Sequence, residues 1–180
     1  PTKRSEKGTT GGEMILAKTH LACTGYDTLR KNMVDNGDVD PFKGFSALNV
    51  HTRSGNIVLI VAYLVPGEGF TWSHYHRIRS LSGFIKALTD SWVVLADWNI
   101  PIDKMEKADL PSRLGGVVIR PDVDVTCDKG KGSLIDYGIA RVDVAPRLKL
   151  LAEGRVPWRT HCRLQLVIEG TKKEWLHRQL

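Results

Sequence analysis

One apolar segment, residues 57 to 63, constrains the fold of this chain more than any other. It reads Ile-Val-Leu-Ile-Val-Ala-Tyr, is rich in β-branched residues and contains no polar residue before the tyrosine. A strand with one solvated face alternates apolar and polar residues, whereas a strand covered on both faces does not. We therefore expect this segment to be the central strand of a sheet whose two faces are both covered.

The remaining patterns predict a chain of mixed α and β structure. Apolar residues at Ile78, Leu81, Ile85 and Leu88 have helical spacing and predict a helix from about Ser73 to Thr89. Short apolar or alternating runs predict further strands at 14–17, 45–50, 92–96, 117–119, 134–140 and 164–168. Because strands alternate with one clear helix, the fold class indicated is α/β (α+β).

Charge and hydropathy bear on the class of partner. The 180 residues include 26 Lys and Arg against 20 Asp and Glu, a net charge of +6, with 42% hydrophobic residues. This composition excludes a disordered chain and is compatible with a polyanionic partner such as nucleic acid without requiring one. The longest apolar stretch, Ile57 to Val65, is too short to cross a bilayer, so no membrane partner is expected.

Histidines and cysteines give no pattern typical of a metal cluster. His74 and His76 are two positions apart near the predicted helix start, where they cannot share a helical face, and we expect both to be solvated. Cys23, Cys127 and Cys162 form an odd set without C-x-x-C spacing, which argues against a disulfide framework and a zinc cluster. The simpler interpretation is a reducing, intracellular location, nuclear or cytoplasmic.

Polar side chains lie where several predicted strands begin or end. They are Tyr63, Asp97, Asn99, Asp136 and His161. Phosphodiester hydrolysis needs a carboxylate to activate water, amide and imidazole donors for the developing charge, and usually a divalent metal. Simpler interpretations stay open: a turn for the Asp-x-Asn pair, a structural salt bridge for Asp136, and an ordinary sheet or surface position for the tyrosine and the histidine.

Four short motifs follow one another in a set order along the chain. They are Tyr63-Leu-Val-Pro66, Asp97-Trp-Asn99, Ser133-Leu-Ile-Asp136-Tyr137 and Thr160-His161. From about Gly11 to Ile168 this order resembles the endonuclease/exonuclease/phosphatase superfamily, which includes deoxyribonuclease I, exonuclease III-type enzymes and retrotransposon endonucleases. The resemblance implies part of a four-layered α/β sandwich, with mixed β-sheets flanked by helices.

The resemblance also implies a role for each residue of the set. Asp97 would position or deprotonate the attacking water, and Asn99 would orient the water and the phosphate. Tyr63 would contact the phosphate or the leaving group. His161 would contact a phosphate oxygen or protonate the leaving group, and Asp136 would hold its imidazole in the useful tautomer.

Three departures from the family pattern bear on metal binding and turnover. The family's metal-binding Glu belongs to a strand that precedes the segment resembled by residues 11–16, so that ligand is absent from this chain. Glu13 is not a convincing substitute because it precedes its predicted strand. Thr160 stands where the family has Asp, and Ala96 stands where it has Gly. A divalent metal, Mg²⁺, is implied by the resemblance, but its ligands in this chain are unknown.

The resemblance predicts three segments along the chain. Residues 1–12 form a flexible lead-in, 13–170 a domain lacking the family's N-terminal strands, and 171–180 a tail. Because residue 1 is Pro, we expect a piece of a longer product or a processed form.

The function implied by the resemblance is a metal-dependent phosphodiesterase of nuclease type, in a truncated or weakly active form, with DNA favoured over RNA. The alternatives are a non-catalytic module that binds phosphate or nucleic acid, and a phosphatase of the same superfamily.

Overall fold

The computed structural model describes residues 4–5, 8–9, 14–19, 21–25, 44–52, 55–67, 69–155 and 160–169. Within these ranges the strands are β1 (Arg4–Ser5), β2 (Gly8–Thr9), β3 (Cys23–Gly25), β4 (Phe45–Thr52), β5 (Gly55–Tyr63), β6 (Ser91–Asp97), β7 (Gly116–Ile119), β8 (Asp136–Arg141), β9 (Leu148–Arg155) and β10 (Cys162–Ile168). The helices are α1 (Trp72–Lys86), α2 (Ile102–Lys107) and α3 (Leu110–Arg113), with a 3-10 turn at Ala145–Arg147.

A six-stranded mixed sheet organises the chain, with strand order β3-β4-β5-β6-β8-β7. Its one parallel pair is β5 with β6, and the helix α1 connects them as a crossover requires. The carboxyl ends of β5 and β6 therefore meet at one edge, and the antiparallel strand β8 begins there. The chain around residue 97 is thus placed where three strand ends converge.

Both faces of β5 are covered, as its sequence predicts. Val58 and Ile60 are fully buried against the layer formed by α1, α2 and α3, where Leu81 and Ile85 of α1 pack. Ile57 faces the other way, into a second cluster with Leu148 and the rest of the β9–β10 pair. Because burying each aliphatic side chain stabilises the fold by about 1.5–3 kcal/mol, this central strand ties helices, large sheet and small sheet into one α/β sandwich.

Most elements expected from the sequence are present, with shifted ends. The helix predicted at 73–89 is α1, which ends earlier, at Lys86, with Ala87 as its C-cap. The strands predicted at 45–50, 57–63, 92–96, 117–119, 134–140 and 164–168 correspond to β4, β5, β6, β7, β8 and β10. The central strand and the mixed fold class are therefore confirmed.

Three expectations from the sequence are wrong. Residues 14–18 form no strand, and Met14 and Leu16 are 72% and 81% exposed, because nothing in the described chain pairs with this short run. The interval 100–132, where the sequence predicts only the strand at 117–119, also contains the helices α2 and α3, and Leu148–Arg155 forms a strand that the sequence patterns did not predict. His74 is fully buried rather than solvated, with its Nδ1 bonded to the Gly69 carbonyl oxygen.

Parts of the predicted organisation fall outside the described residues. Within the lead-in expected at 1–12, β1 and β2 pair antiparallel. Glu13 and the tail at 171–180 lie outside the described ranges. Each helix that the structure describes is too short or too polar to span a lipid bilayer.

Gly116 marks the tightest backbone approach in the large sheet and gives a test of the packing. A Cβ at this position would lie 2.6 Å from the Ala140 carbonyl oxygen and 2.7 Å from Cη2 of Trp92. Gly116→Ala should therefore lower the free energy of unfolding by about 1–3 kcal/mol, measured by urea denaturation. Gly83→Ala on α1 is the control: a Cβ there meets nothing within 4 Å, so the same change should stabilise by about 0.5–1 kcal/mol. Equal effects of the two changes would contradict this packing.

Candidate functional site

Strand register brings three of the expected site residues to one sheet edge. Tyr63 is opposite Asp97 in the parallel pair β5–β6, and Asp97 is opposite Asp136 in the antiparallel pair β6–β8. Side chains alternate between the two faces of a strand, so all three lie on the same face as Ile57 and Val93. That face is the one covered by β9 and β10, and β10 begins directly after His161.

A short segment of the loop before β8 places His161 against these carboxylates. Cys127 forms an isolated antiparallel bridge with His161. On either side of it, the Asp128 amide donates to the Thr160 carbonyl oxygen at 2.8 Å, and the Cys162 amide donates to the Thr126 carbonyl oxygen at 2.8 Å. The histidine is therefore fixed by backbone hydrogen bonds on both sides.

Thr126 also fixes Asp136, and sequence analysis did not identify it. Its hydroxyl oxygen accepts the Ile135 amide at 3.1 Å and the Asp136 amide at 3.0 Å, and the residue is 1% exposed. A lone Thr in a polar loop carries no pattern that distinguishes it from a surface residue. Its position was therefore not predictable from periodicity.

The centre of the site is a chain of three side chains. Nδ1 of His161 lies 2.9 Å from Oδ2 of Asp136, and Nε2 lies 4.0 Å from Oδ2 of Asp97. A carboxylate only accepts hydrogen bonds, so Nδ1–H donates to Asp136 and Nε2 is directed toward Asp97. The side chains of Asp136, Asp97 and His161 are 13%, 21% and 30% exposed, so the group opens to solvent on the Asp97 and His161 side.

Asn99 stabilises the turn that carries Asp97. Its backbone φ is +48°, a left-handed conformation that Asn tolerates better than most residues. Its amide N–H donates to Oδ1 of Asp97 at 3.1 Å, and its Nδ2 donates to the Leu64 carbonyl oxygen at 2.7 Å. The side chain thereby joins the end of β6 to the end of β5 next to the site.

A buried aromatic pair supports the same turn from below. Trp98 and Tyr137 are fully buried and stacked, with ring centroids 5.8 Å apart. The Trp98 indole donates to the Tyr137 carbonyl oxygen at 3.1 Å, and the Tyr137 hydroxyl donates to the Ile100 carbonyl oxygen at 3.0 Å. These bonds hold the segment 98–100 rigidly against β8, next to Asp97.

Burial and a neighbouring negative charge make the Asp97 side chain a weaker acid than an ordinary aspartate. Partial burial, followed by the neighbouring Asp136 carboxylate, raises the pKa of Asp97 to about 6, although His161 and Asn99 act in the opposite direction. The pKa of Tyr63 is raised by burial and then by Asp97, while Arg77 lowers it. Perturbed carboxyl groups of this kind are typical of catalytic or metal-binding sites.

Comparison with known proteins gives a match of fold without a match of sequence. No protein-family model and no curated protein sequence matches the chain. The endonuclease domain of TRAS1, a telomere-specific non-LTR retrotransposon, superposes with a TM-score of 0.63 at 14% identity, covering 83% of this chain and 68% of that domain.

A second and a third similar structure come from bacteria. An endonuclease/exonuclease/phosphatase family protein from Leptotrichia buccalis has a TM-score of 0.54 at 12% identity, covering 70% of this chain and 54% of that protein. A Staphylococcus aureus beta toxin variant with bound magnesium ions has a TM-score of 0.52 at 12% identity, covering 71% of this chain and 58% of the toxin. The chain has the endonuclease/exonuclease/phosphatase fold.

Within this fold the five residues expected from sequence are neighbours rather than scattered. Asp97, Asp136 and His161 form the central group, Tyr63 is paired with Asp97 in the sheet, and Asn99 is bonded to Asp97. The structure thus places the expected residues at one edge of the endonuclease/exonuclease/phosphatase sheet.

The same group has the composition of a cation site. One ligand atom each from Asp97, Asp136 and His161 lies within 4.8 Å of the others. The two carboxylates repel one another, and this repulsion is, after burial, the second cause of the raised pKa of Asp97. Carboxylate oxygens are the ligands that Mg²⁺ prefers, usually with several waters retained, so the residues present fit a divalent cation.

The contact between Asp136 and His161 can be measured by a double-mutant cycle. Asp136→Ala and His161→Ala should each lower the free energy of unfolding, and the double change should lower it by less than the sum, because the second loss no longer leaves a partner unsatisfied. We expect a coupling of about 0.5–3 kcal/mol from denaturant melts. Arg120 and Glu106, an exposed pair 2.9 Å apart, are the control and should couple by less than about 1 kcal/mol. Additive effects at Asp136 and His161 would show that they do not interact.

The raised pKa of Asp97 predicts a stability that falls as pH rises. Between the ordinary pKa of 3.8 and the folded value of about 6, the folded chain keeps a proton that the unfolded chain releases. The free energy of unfolding therefore falls progressively between pH 4 and pH 6. Above pH 6 it is lower by up to about 3 kcal/mol. In chelator, Asp97→Asn should raise the melting temperature at pH 8 and have little effect at pH 3.5.

Asp143 provides the control for this pH experiment. Its carboxylate accepts from the Ser91 hydroxyl at 2.8 Å and pairs with Arg141, away from the site. Asp143→Asn removes an ion pair, so it should give no gain in stability at pH 8. A melting temperature that Asp97→Asn leaves unchanged at pH 8 would mean that Asp97 is not destabilised in the fold.

Proposed function

We propose that the chain carries the site of a metal-dependent phosphodiesterase of nuclease type, acting on nucleic acid and on DNA in preference to RNA. The observation that carries the proposal is the pairing of a proton acceptor with a proton donor. The Asp97 carboxylate and Nε2 of His161 lie 4.0 Å apart at an open sheet edge, and Asp136 fixes the imidazole from behind. The proposal gives each group one task in hydrolysis.

Asp97 is assigned the task of accepting a proton from the attacking water. Its pKa is about 6 in the absence of a cation, so the side chain is mostly ionised at pH 7 and can accept a hydrogen bond and a proton from water. As the new water oxygen–phosphorus bond forms, the bond from phosphorus to the leaving oxygen breaks. Asn99 keeps Asp97 in position through its amide, bonded to Oδ1 at 3.1 Å.

His161 is assigned the charge that develops on the phosphate. Because Nδ1–H is bonded to Asp136, a protonated imidazole presents Nε2–H toward the open side of the site. That hydrogen can bond a non-bridging phosphate oxygen or pass to the leaving oxygen. The Tyr63 hydroxyl, on the neighbouring strand, is assigned a contact to the same phosphate.

A divalent cation is part of the proposal. The carboxylates of Asp97 and Asp136 would hold it, and Mg²⁺ bound there would supply charge stabilisation at the phosphoryl oxygens. One similar structure supports the cation, since it contains bound magnesium ions, and another, the endonuclease domain of a retrotransposon, supports the nuclease type.

We expect turnover to be slow. Thr160 stands where the resembled family has an Asp, and the family's metal-binding Glu belongs to a segment that this chain does not match. The loss of one metal ligand or of its support typically lowers activity about tenfold to a hundredfold. A reducing location, nuclear or cytoplasmic, stays a prediction from the sequence.

Nicking of supercoiled plasmid tests the proposal, because a single cleavage converts each molecule to a relaxed form. The chain should nick slowly with Mg²⁺ and not with a chelator, and Asp97→Asn or His161→Gln should lower the rate about 10²- to 10⁴-fold. The matched controls are Asp143→Asn and His51→Gln. His51 is exposed and bonded to Asn56 at the opposite end of β4, so its replacement should leave the rate unchanged.

Two results would overturn the catalytic proposal. One is nicking that Asp97→Asn does not reduce, which would place the chemistry elsewhere or in a contaminant. The other is no nicking by the parent chain above the double variant Asp97→Asn, His161→Gln. If that parent chain still binds an oligonucleotide, the second candidate, a non-catalytic binding module, is favoured.

A further inference from the structure

The helix α1 is the most uniformly cationic element of the described chain. Its 15 residues include Arg77, Arg79 and Lys86 and contain no Asp or Glu. Helices on protein surfaces usually mix both signs of charge, since opposite charges three or four residues apart stabilise the helix. A helix that omits acidic residues attracts an anionic partner along its length.

The first half of α1 lies beside the candidate site. The Arg77 guanidinium donates to the Tyr63 carbonyl oxygen at 2.9 Å, at the carboxyl end of β5. Gly44 permits this approach, because a Cβ there would lie 3.0 Å from Cδ of Arg77. The same guanidinium is close enough to lower the pKa of the Tyr63 phenol. The first turns of α1 are therefore in direct contact with the carboxyl end of β5, where Tyr63 lies.

Two exposed aromatic side chains lie at this junction. Phe70 and Tyr75 are 50% and 54% exposed, and they flank the start of α1. Base stacking needs aromatic rings that are open to solvent, and these two rings meet that condition. Tyr75 and Arg79 are four residues apart and share one helix face, and Lys86 is exposed about 10 Å further along at 1.5 Å per residue.

We propose that Phe70, Tyr75, Arg79 and Lys86, here termed the α1 strip, bind a single nucleic-acid strand that continues from the candidate site. Bases stack on the two aromatic rings, and phosphates pair with the arginine and the lysine. This combination of aromatic and cationic side chains fits a polynucleotide, because a base supplies a flat ring and its phosphate an anion. The choice of partner rests on the proposed function, and the strip deepens it by assigning the path of the strand.

Binding of a fluorescein-labelled 20-nucleotide single strand, followed by anisotropy in chelator, tests the strip without any cleavage. The double variant Arg79→Gln, Lys86→Gln should weaken binding about fivefold for each lost phosphate contact at 0.1 M salt. It should also lower the slope of log K against log salt by about 0.7 per contact. Tyr75→Leu should weaken binding by at least about fivefold, the low end for the loss of one stacked base.

The matched control removes the same charge elsewhere. Arg113 and Lys149 are 73% and 64% exposed, on α3 and β9, and each is paired with a carboxylate. The double variant Arg113→Gln, Lys149→Gln should leave affinity and salt slope within about twofold of the parent. Melting curves of all variants confirm that the exposed substitutions leave the fold intact.

The outcomes separate the strip from the catalytic proposal. Binding that falls in the strip variants and not in the control supports the strip, even where Asp97→Asn shows no loss of nicking. Equal effects of the strip and control variants would mean non-specific attraction and would overturn it. Labelled DNA, RNA and duplex are compared in parallel, and tighter binding of duplex than of either single strand would also overturn it.

Discussion

Two carboxylates held directly opposite one another are the constraint on which the site depends. Asp97 and Asp136 are register partners in β6 and β8, so the hydrogen bonds of the sheet keep their side chains together on one face. Burial and, second to it, the repulsion from Asp136 raise the pKa of Asp97 to about 6, and the repulsion cannot relax without breaking that ladder. His161, bonded to Asp136 at 2.9 Å, acts in the opposite direction and lowers the pKa of Asp97.

Buried contacts around the site hold the two carboxylates in place despite their repulsion. Thr126 anchors the start of β8 through its hydroxyl and the start of β10 through its carbonyl oxygen, so one buried residue positions both Asp136 and His161. Trp98 and Tyr137 fill the space beneath the turn that carries Asp97. Such buried support is what allows an unfavourable electrostatic arrangement to persist, because local strain survives only where surrounding contacts determine the geometry.

The central strand β5 connects the candidate site to the cationic helix α1. One face of β5 packs against α1. The strand ends at Tyr63, which is opposite Asp97 at the candidate site. Arg77 joins the two, since it is a residue of α1 bonded to the Tyr63 carbonyl oxygen. The polar site between the sheets and the cationic helix on the opposite face are therefore adjacent at one sheet edge.

Local sequence patterns determined the central strand, α1 and the polar residues at strand ends. These features depend on periodicity and on motif order, which neighbouring residues carry. Tertiary structure alone decided the burial of His74, the role of Thr126 and the strand at Leu148–Arg155. Thr126 bonds an amide ten residues away, and β9 forms only by pairing with β10. Period-two alternation could place Asp97 and Asp136 on strand faces, but only the register of β6 against β8 made them neighbours.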